Sequence, residues 1–368
     1  MLPLFLPDGA ATRLRVLKQQ HSDELQTLLE PLNTLSPSER IAVGAASIAA
    51  GAGRAWEANE LVLDRLLPPS VACTMALPAP GVSDSMAPPS PPATEQSYDS
   101  AAQLLAHLAR DWSAAGAAAR RKTHRPVLRA LRRVQRRRRP LRVLVPGAGA
   151  CRLAWEIARR GHRVEANDES VGMMVAAHSL IARVMPRRDS LTLVPRVRCE
   201  AGALSRGPCL EAASVPDAAT AAVPANLTLQ VADFGGFYAE QRGRWDVLVT
   251  SYFLDTLADP AAAVRRAWEL LAPDGVWINV GPLHWHQPKL GLLRLSWEEL
   301  RALLQLSGFR LRESRVIRGV PYLGRRRRRA GVLSGAESWH DALFFVARKE
   351  LKEADRTQGS TSERPTTG

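Results

Sequence analysis

A Gly147-x-Gly149 pair follows directly on the apolar run Val143-Leu144-Val145-Pro146. Glycines at such a point let the backbone approach a ligand closely and lead into a helix N-terminus. About 20 residues later Asp168 closes a second run, where a carboxylate can accept both hydroxyls of a ribose. Asp233-Phe234 closes a third, and offers a carboxylate for an exocyclic amine and a ring to lie beside a base. A dinucleotide fingerprint wants a third glycine, but position 152 is Arg. With no pyrophosphate to cradle, that glycine is dispensable, so the pattern favours a nucleoside cofactor such as S-adenosylmethionine over NAD. Taken alone, Gly-x-Gly and an acid also describe a tight strand-to-helix turn, and the two readings stand side by side.

Three further groups carry chemistry. Ser251-Tyr252-Phe253-Leu254-Asp255-Thr256 follows the apolar run from Trp245, and its Asp255 reads equally as a helix cap or a substrate contact. His284-Trp285-His286 follows the next run. Two histidines at this spacing invite a metal, but no third ligand stands at a sensible distance, so no metal is expected. Ser338-Trp339-His340-Asp341 precedes the last run, and its Trp339 suits core and pocket wall alike.

The elements that must hold these residues alternate in type. The strands are Val143–Pro146, Arg163–Ala166, Leu227–Val231, Trp245–Thr250 and Val276–Val280; helices are expected over Arg152–Arg160, Met173–Val184 and Ala261–Leu271. Alternation of this kind implies a parallel sheet flanked by helices. Phe309–Ile317 and Ala342–Ala347 would add an antiparallel edge, with Arg325–Arg329 in the loop between them. In such a sheet ligands bind beyond the carboxyl ends of the strands, at the switch point near the first one, which is where the unusual residues fall.

Ahead of the sheet, residues 1–67 read as a helical region, 68–99 as a Pro-rich linker, and 100–140 as a helical lead-in. Leu104, Leu108 and Trp112 mark one helix face, with His107 and Arg110 together on another. Arg120–Arg139 reads as a basic helix with a solvated face. The Rossmann-like domain then occupies 141–349, with an irregular insertion over 186–226, and 350–368 is a polar tail expected to be disordered.

Composition bounds the rest. The 368 residues carry Lys+Arg 50 against Asp+Glu 36, a net charge of +14 that invites an acidic or nucleic-acid partner. The arginine runs lack interleaved aromatics for base stacking, which argues against a nucleic-acid reading. Four cysteines without a CxxC pair speak against a structural zinc site and a disulfide framework and fit a reducing compartment: the cytoplasm, with the nucleus also open. No apolar stretch is long enough to span a membrane. The apolar, Pro-broken N-terminus is not expected to act as a secretory signal, whereas Arg13, Arg15 and Lys18 behind it leave organelle targeting open.

At these residues the chain resembles the carnosine N-methyltransferases. The matching segments are Arg110–Gly116, Val143–His162, Val231–Tyr238, Trp245–Thr256, Trp277–His286 and Asp341–Lys349, in family order. The strings Val-Pro-Gly-Ala-Gly and Trp-Ile-Asn-x-Gly-Pro-Leu are specific to that family. The resemblance implies a class I Rossmann-like fold with a mostly parallel seven-stranded sheet and an antiparallel edge. It implies a methyltransferase that uses S-adenosylmethionine to methylate the imidazole of carnosine, giving anserine. By position, cofactor contacts would be His107, Arg110, Gly147, Asp168, Asp233, Phe234 and Ser251; substrate contacts would be Asp255, His286 and Trp339. The chain departs from the family at His107 (Gln there), Cys151 (Gly), Asp168 (Glu) and Ser251 (Cys), and near Trp339, where the family has a tyrosine-rich run.

If an imidazole is methylated, Asp255 is expected to do the catalytic work of holding the second ring nitrogen, with His286 as hydrogen-bonding partner and proton acceptor. Arg110, from the lead-in, would close as a lid over the methionine carboxylate. The expected partner is a small histidine dipeptide, with peptides and proteins as alternatives and a homodimer compatible with the sequence. A non-enzymatic RNA-binding module built on Arg136–Arg139 and Arg325–Arg329 is the reading from another class.

Overall fold

The computed structural model describes residues 2–68, 100–135, 140–195, 207–218, 222–285, 293–321 and 339–350. His286, both arginine runs, all but the first residue of the Pro-rich stretch and all but the first of the tail lie outside the described residues.

The chain opens with strand β1 (Leu4–Phe5) and helices α1 (Ala10–Asn33), α2 (Pro37–Ala42) and α3 (Ala45–Leu66). Two helices lead into the sheet: α4 (Ala101–Trp112) and α5 (Ala117–Gln135). Then come β2 (Arg142–Pro146), α6 (Arg152–Ala158), β3 (Arg163–Asp168) and α7 (Val171–Ser179), which runs on through a π-helical turn, Leu180–Val184. The short strands β4 (Leu191–Leu193) and β5 (Ala213–Val215) pair antiparallel, so the 186–226 stretch holds its own small sheet. The remainder is β6 (Leu227–Val231), α8 (Phe234–Phe237), β7 (Trp245–Ser251), α9 (Pro260–Leu270), β8 (Leu271–Gly281), α10 (Trp297–Leu306), β9 (Phe309–Pro321) and β10 (Trp339–Lys349).

The sheet has eight strands in the order β1-β6-β3-β2-β7-β8-β10-β9. From β1 to β8 every pairing is parallel; β10 runs antiparallel to β8 and β9. One strand more than expected is present, because Leu4–Phe5 adds parallel to β6 at the edge. The period of two that buries Leu2, Leu4 and Leu6 explains it, and Pro3 and Pro7 are tolerated because nothing pairs beyond an edge strand.

Alternate residues of each strand feed two cores, one per face. Val143, Val145, Val247, Val249, Ile278 and Phe344 pack beneath the N-terminal and lead-in helices, while Leu144, Leu248, Trp277 and Phe345 pack under α9 and α10. Burial on both faces is why these strands read as unbroken apolar runs. Trp277 Nε1 donates to Thr250 Oγ1 (2.8 Å), that hydroxyl to Asn279 Oδ1 (2.8 Å), and Asn279 Nδ2 to the Leu343 carbonyl (3.2 Å). This buried chain ties β7, β8 and β10 in one register. No helix among the described residues is long and apolar enough to cross a membrane.

Candidate active site at the carboxyl ends of the parallel strands

The parallel strands end together, so Gly147, Asp168, Asp233 and Ser251 come to one rim although they lie far apart in the chain. The glycine loop after β2 is held from three sides. Ala148 N donates to the Asn167 carbonyl (2.9 Å), Gly149 N to Asp168 Oδ2 (2.8 Å), and Trp112 Nε1, from the lead-in, to the Ala150 carbonyl (2.7 Å). Asp168 Oδ1 also accepts from Ser170 N (3.0 Å), so the carboxylate is fixed in orientation at the tip of β3.

Gly147 and Gly149 have φ of 59° and 51°. A Cβ on Gly147 would lie 2.1 Å from Cδ2 of Phe253. Only glycine lets that ring close over the loop. Cys151, where the family carries glycine, adopts φ 59° and is fully buried, with Sγ 3.6 Å from Met174 Sδ. Burial pushes its thiol well above the usual range, so it is an inert core group.

Across the loop stands α4. Its Arg110 forms a fork with Asp111, Nε to Oδ1 at 2.7 Å and Nη2 to Oδ2 at 3.1 Å. Burial would raise Asp111, but the guanidinium outweighs it and holds the carboxyl below its ordinary range. One turn earlier, His107 Nδ1 lies 3.7 Å from where a Gly149 Cβ would be and has no hydrogen-bond partner. Burial, helped by the Arg110 charge, drives this imidazole down to about 3, so it is neutral at physiological pH. A buried neutral imidazole with an orphaned nitrogen beside a glycine loop has hydrogen-bonding capacity to spare for a ligand. Arg110, Asp111, Gly147, Ala148, Ser251 and Tyr252 line one open cleft.

Phe234 borders the same region through Phe253, their rings edge-on at 5.5 Å. Asp233 is exposed and caps α8, with Oδ2 accepting from Gly236 N. Asp255 is 1 % exposed, in a short turn of 3-10 helix after β7, and its Oδ2 accepts from His284 N (3.0 Å). It bridges the loops after β7 and β8 rather than capping a helix. Trp339, half-buried, opens β10 opposite Pro321. Because β10 is antiparallel, its first residues arrive at the rim where the parallel strands finish, which brings Trp339 and His340 toward this site.

Three side chains that the sequence reading gave no role at the cofactor or substrate also gather here. Tyr252 stacks on Arg110, with Cζ 5.1 Å from its ring centroid, and its hydroxyl is 3.0 Å from His340 Nε2. The His284 ring lies 6.1 Å from that of His340. The position of Tyr252 just past a strand end was the available signal; His340 needed the strand's direction.

A family model described as "Carnosine N-methyltransferase" matches residues 90–350. The carnosine N-methyltransferase of Rattus norvegicus is 27% identical over 267 residues, covering 70% of this chain and 65% of that protein. The "Carnosine N-methyltransferase unmet" of Drosophila melanogaster is 26% identical over 275 residues, with 72% and 59% covered. The match therefore spans under two thirds of these curated relatives. Among solved structures, magnesium protoporphyrin IX methyltransferase of Synechocystis PCC 6803 with bound S-adenosylhomocysteine aligns at TM-score 0.39 and 11% identity, covering 64% of this chain and 87% of that one.

Proposed function

The chain belongs to the carnosine N-methyltransferase family, and from that premise we propose that it methylates an imidazole ring nitrogen of carnosine to give anserine, with S-adenosylmethionine as donor. The observation that supports the reading is that Arg110, Gly147 and Ser251 line one cleft, while Asp168 accepts from Gly149 N in the adjoining loop. The donor set fits a nucleoside with an amino-acid tail. Asp168 presents a fixed carboxylate for ribose hydroxyls, Phe234 an aromatic edge for a base, and Asp233 a carboxylate oxygen beyond the one that caps α8. His107 and Arg110 face the loop from the lid helix, the latter with a guanidinium suited to a carboxylate.

When bound, S-adenosylmethionine supplies an electrophilic methyl group; the protein's residues must align and steady the acceptor. Attack needs a neutral imidazole about 3 Å from the methyl carbon and in line with the sulfur. An imidazole of ordinary pKa near 6.5 is mostly neutral at neutral pH, so no strong base is required. Asp255, buried and anchored on His284 N, is the group to accept a hydrogen bond from the second ring nitrogen and offset the positive charge that develops there. His286 is proposed as its partner and proton acceptor, and Trp339 as a wall for the acceptor ring. We assign the enzyme to the cytoplasm or nucleus, consistent with the cysteine pattern.

The test is purified protein with labelled S-adenosylmethionine and a panel of carnosine, related histidine dipeptides and histidine-containing peptides. Label in the imidazole of carnosine is the expected result. Label only in longer peptides would replace the substrate, and none in any imidazole would refute the activity.

A further inference from the structure

Tyr252 holds a backbone conformation that bulky residues avoid, φ 55°, one residue beyond the end of β7. The surroundings over-determine it. Its N–H donates to the Val280 carbonyl (3.0 Å), and Gly281 next to it leaves the space, since a Cβ there would stand 2.9 Å from Tyr252 N. Strain kept in place by neighbouring structure is found where a side chain must be aimed. Here it aims one ring at two targets. The face of the phenol lies under the Arg110 guanidinium (5.1 Å), and the hydroxyl meets His340 Nε2 at 3.0 Å with the two rings crossed at 76°.

Those two targets belong to different halves of the cleft. Arg110 comes from the lid helix beside the glycine loop and is gripped on its other side by Asp111. His340 comes from β10, next to Trp339 and 6.1 Å from the His284 ring, whose backbone N–H rests on Asp255. We propose that Tyr252 is a positioning residue that couples the two halves: its ring orients Arg110 for the donor, and its hydroxyl orients the His340 imidazole on the acceptor side. The inference rests on the methyltransferase reading and adds to it two residues and a division of labour. The ring acts on donor binding, the hydroxyl on acceptor binding, whichever tautomer His340 adopts.

The experiment separates the two contributions. S-adenosylhomocysteine binding is measured by calorimetry, and KM and kcat for an imidazole dipeptide by steady-state assay, on wild type, Tyr252→Phe, Tyr252→Leu and His340→Gln, each first checked for a wild-type melting profile. Tyr252→Leu is expected to weaken S-adenosylhomocysteine binding about tenfold through loss of the cation–π contact. Tyr252→Phe should bind it within about twofold of wild type yet raise KM for the dipeptide about fivefold, the loss of one hydrogen bond. His340→Gln should reproduce the Tyr252→Phe effect, and adding it to Tyr252→Phe should raise KM no further. Unchanged S-adenosylhomocysteine affinity in Tyr252→Leu, or unchanged KM in Tyr252→Phe, overturns the inference while leaving the activity standing. A wild-type protein that binds no S-adenosylhomocysteine overturns both.

Discussion

Asp217 lies in the stretch that reads as an irregular insertion, yet it closes an ionic network beside the lead-in helices. One carboxylate oxygen accepts from Arg120 Nη2 and the other from Arg152 Nη1 at 2.6 Å. Arg152 also bonds Glu156 (2.9 Å) and stacks on Trp112 at 4.8 Å, and Arg120 Nη1 donates to the Arg110 carbonyl (2.6 Å). The side chains of Arg120, Arg152 and Asp217 are 8%, 11% and 17% exposed, so Asp217→Ala removes the ion-pair partner of Arg120 and leaves Arg152 with Glu156 alone, both largely out of water. Breaking a fully buried pair costs about 3–5 kcal/mol; the residual exposure of Asp217 reduces this to about 2–3 kcal/mol. For a chain of this size that lowers the melting temperature by about 3–4 °C. Because Arg120 also carries the Arg110 carbonyl, S-adenosylhomocysteine should bind several-fold more weakly. Thermal melts of wild type and Asp217→Ala, with and without S-adenosylhomocysteine, measure both effects. A melting temperature within about 1 °C of wild type, at unchanged ligand-induced stabilisation, would refute the claim that the insertion braces the lead-in helices.

Other expectations concern the cleft itself. Gly147→Ala drives a Cβ into the Phe253 ring at 2.1 Å and strains a positive φ; S-adenosylhomocysteine affinity should fall at least about tenfold (~1.4 kcal/mol), and calorimetry showing normal binding would contradict the close-packed loop. Asp255→Asn retains an oxygen for His284 N and removes the charge; kcat should drop about a hundredfold or more at unchanged S-adenosylhomocysteine affinity, and full turnover would dismiss Asp255 from the chemistry. His107, held at about 3 when folded, regains the ordinary 6.5 when unfolded, so the unfolded chain binds the extra proton and stability falls as pH drops below 6.5. Urea unfolding at pH 6.5 and 5 should therefore show His107→Gln losing about 2 kcal/mol less than wild type, and identical losses would mean that the imidazole is not enclosed.

Much of this arrangement was legible in one dimension because it is governed by local rules. Val143–Pro146 and Trp245–Thr250 announce themselves as strands because burial on both faces demands unbroken apolar runs. The Gly147 loop and Asp168 stand at a separation that the helix between two strands dictates, and the Asp168–Gly149 bond follows from it. His107 and Arg110 share a face because they are three apart on a helix. Tertiary structure decided the rest. The strand at Leu4–Phe5 exists only because the edge at β6 is there to pair with it, so its flanking prolines conceal it. Asp233 could not declare that one of its oxygens caps a helix of four residues. Asp217 has no periodicity or motif at all, and takes its importance from Arg120 and Arg152, which the fold brings to its two oxygens. Tyr252 and His340 are 88 residues apart, and their contact depends on β10 being antiparallel, which reverses the strand end that reaches the rim. Side-chain type and short spacing set which groups could do chemistry, since a strand or helix repeats over a few residues. Which of them meet was set by strand order and direction, which are fixed by burial and pairing across the whole chain.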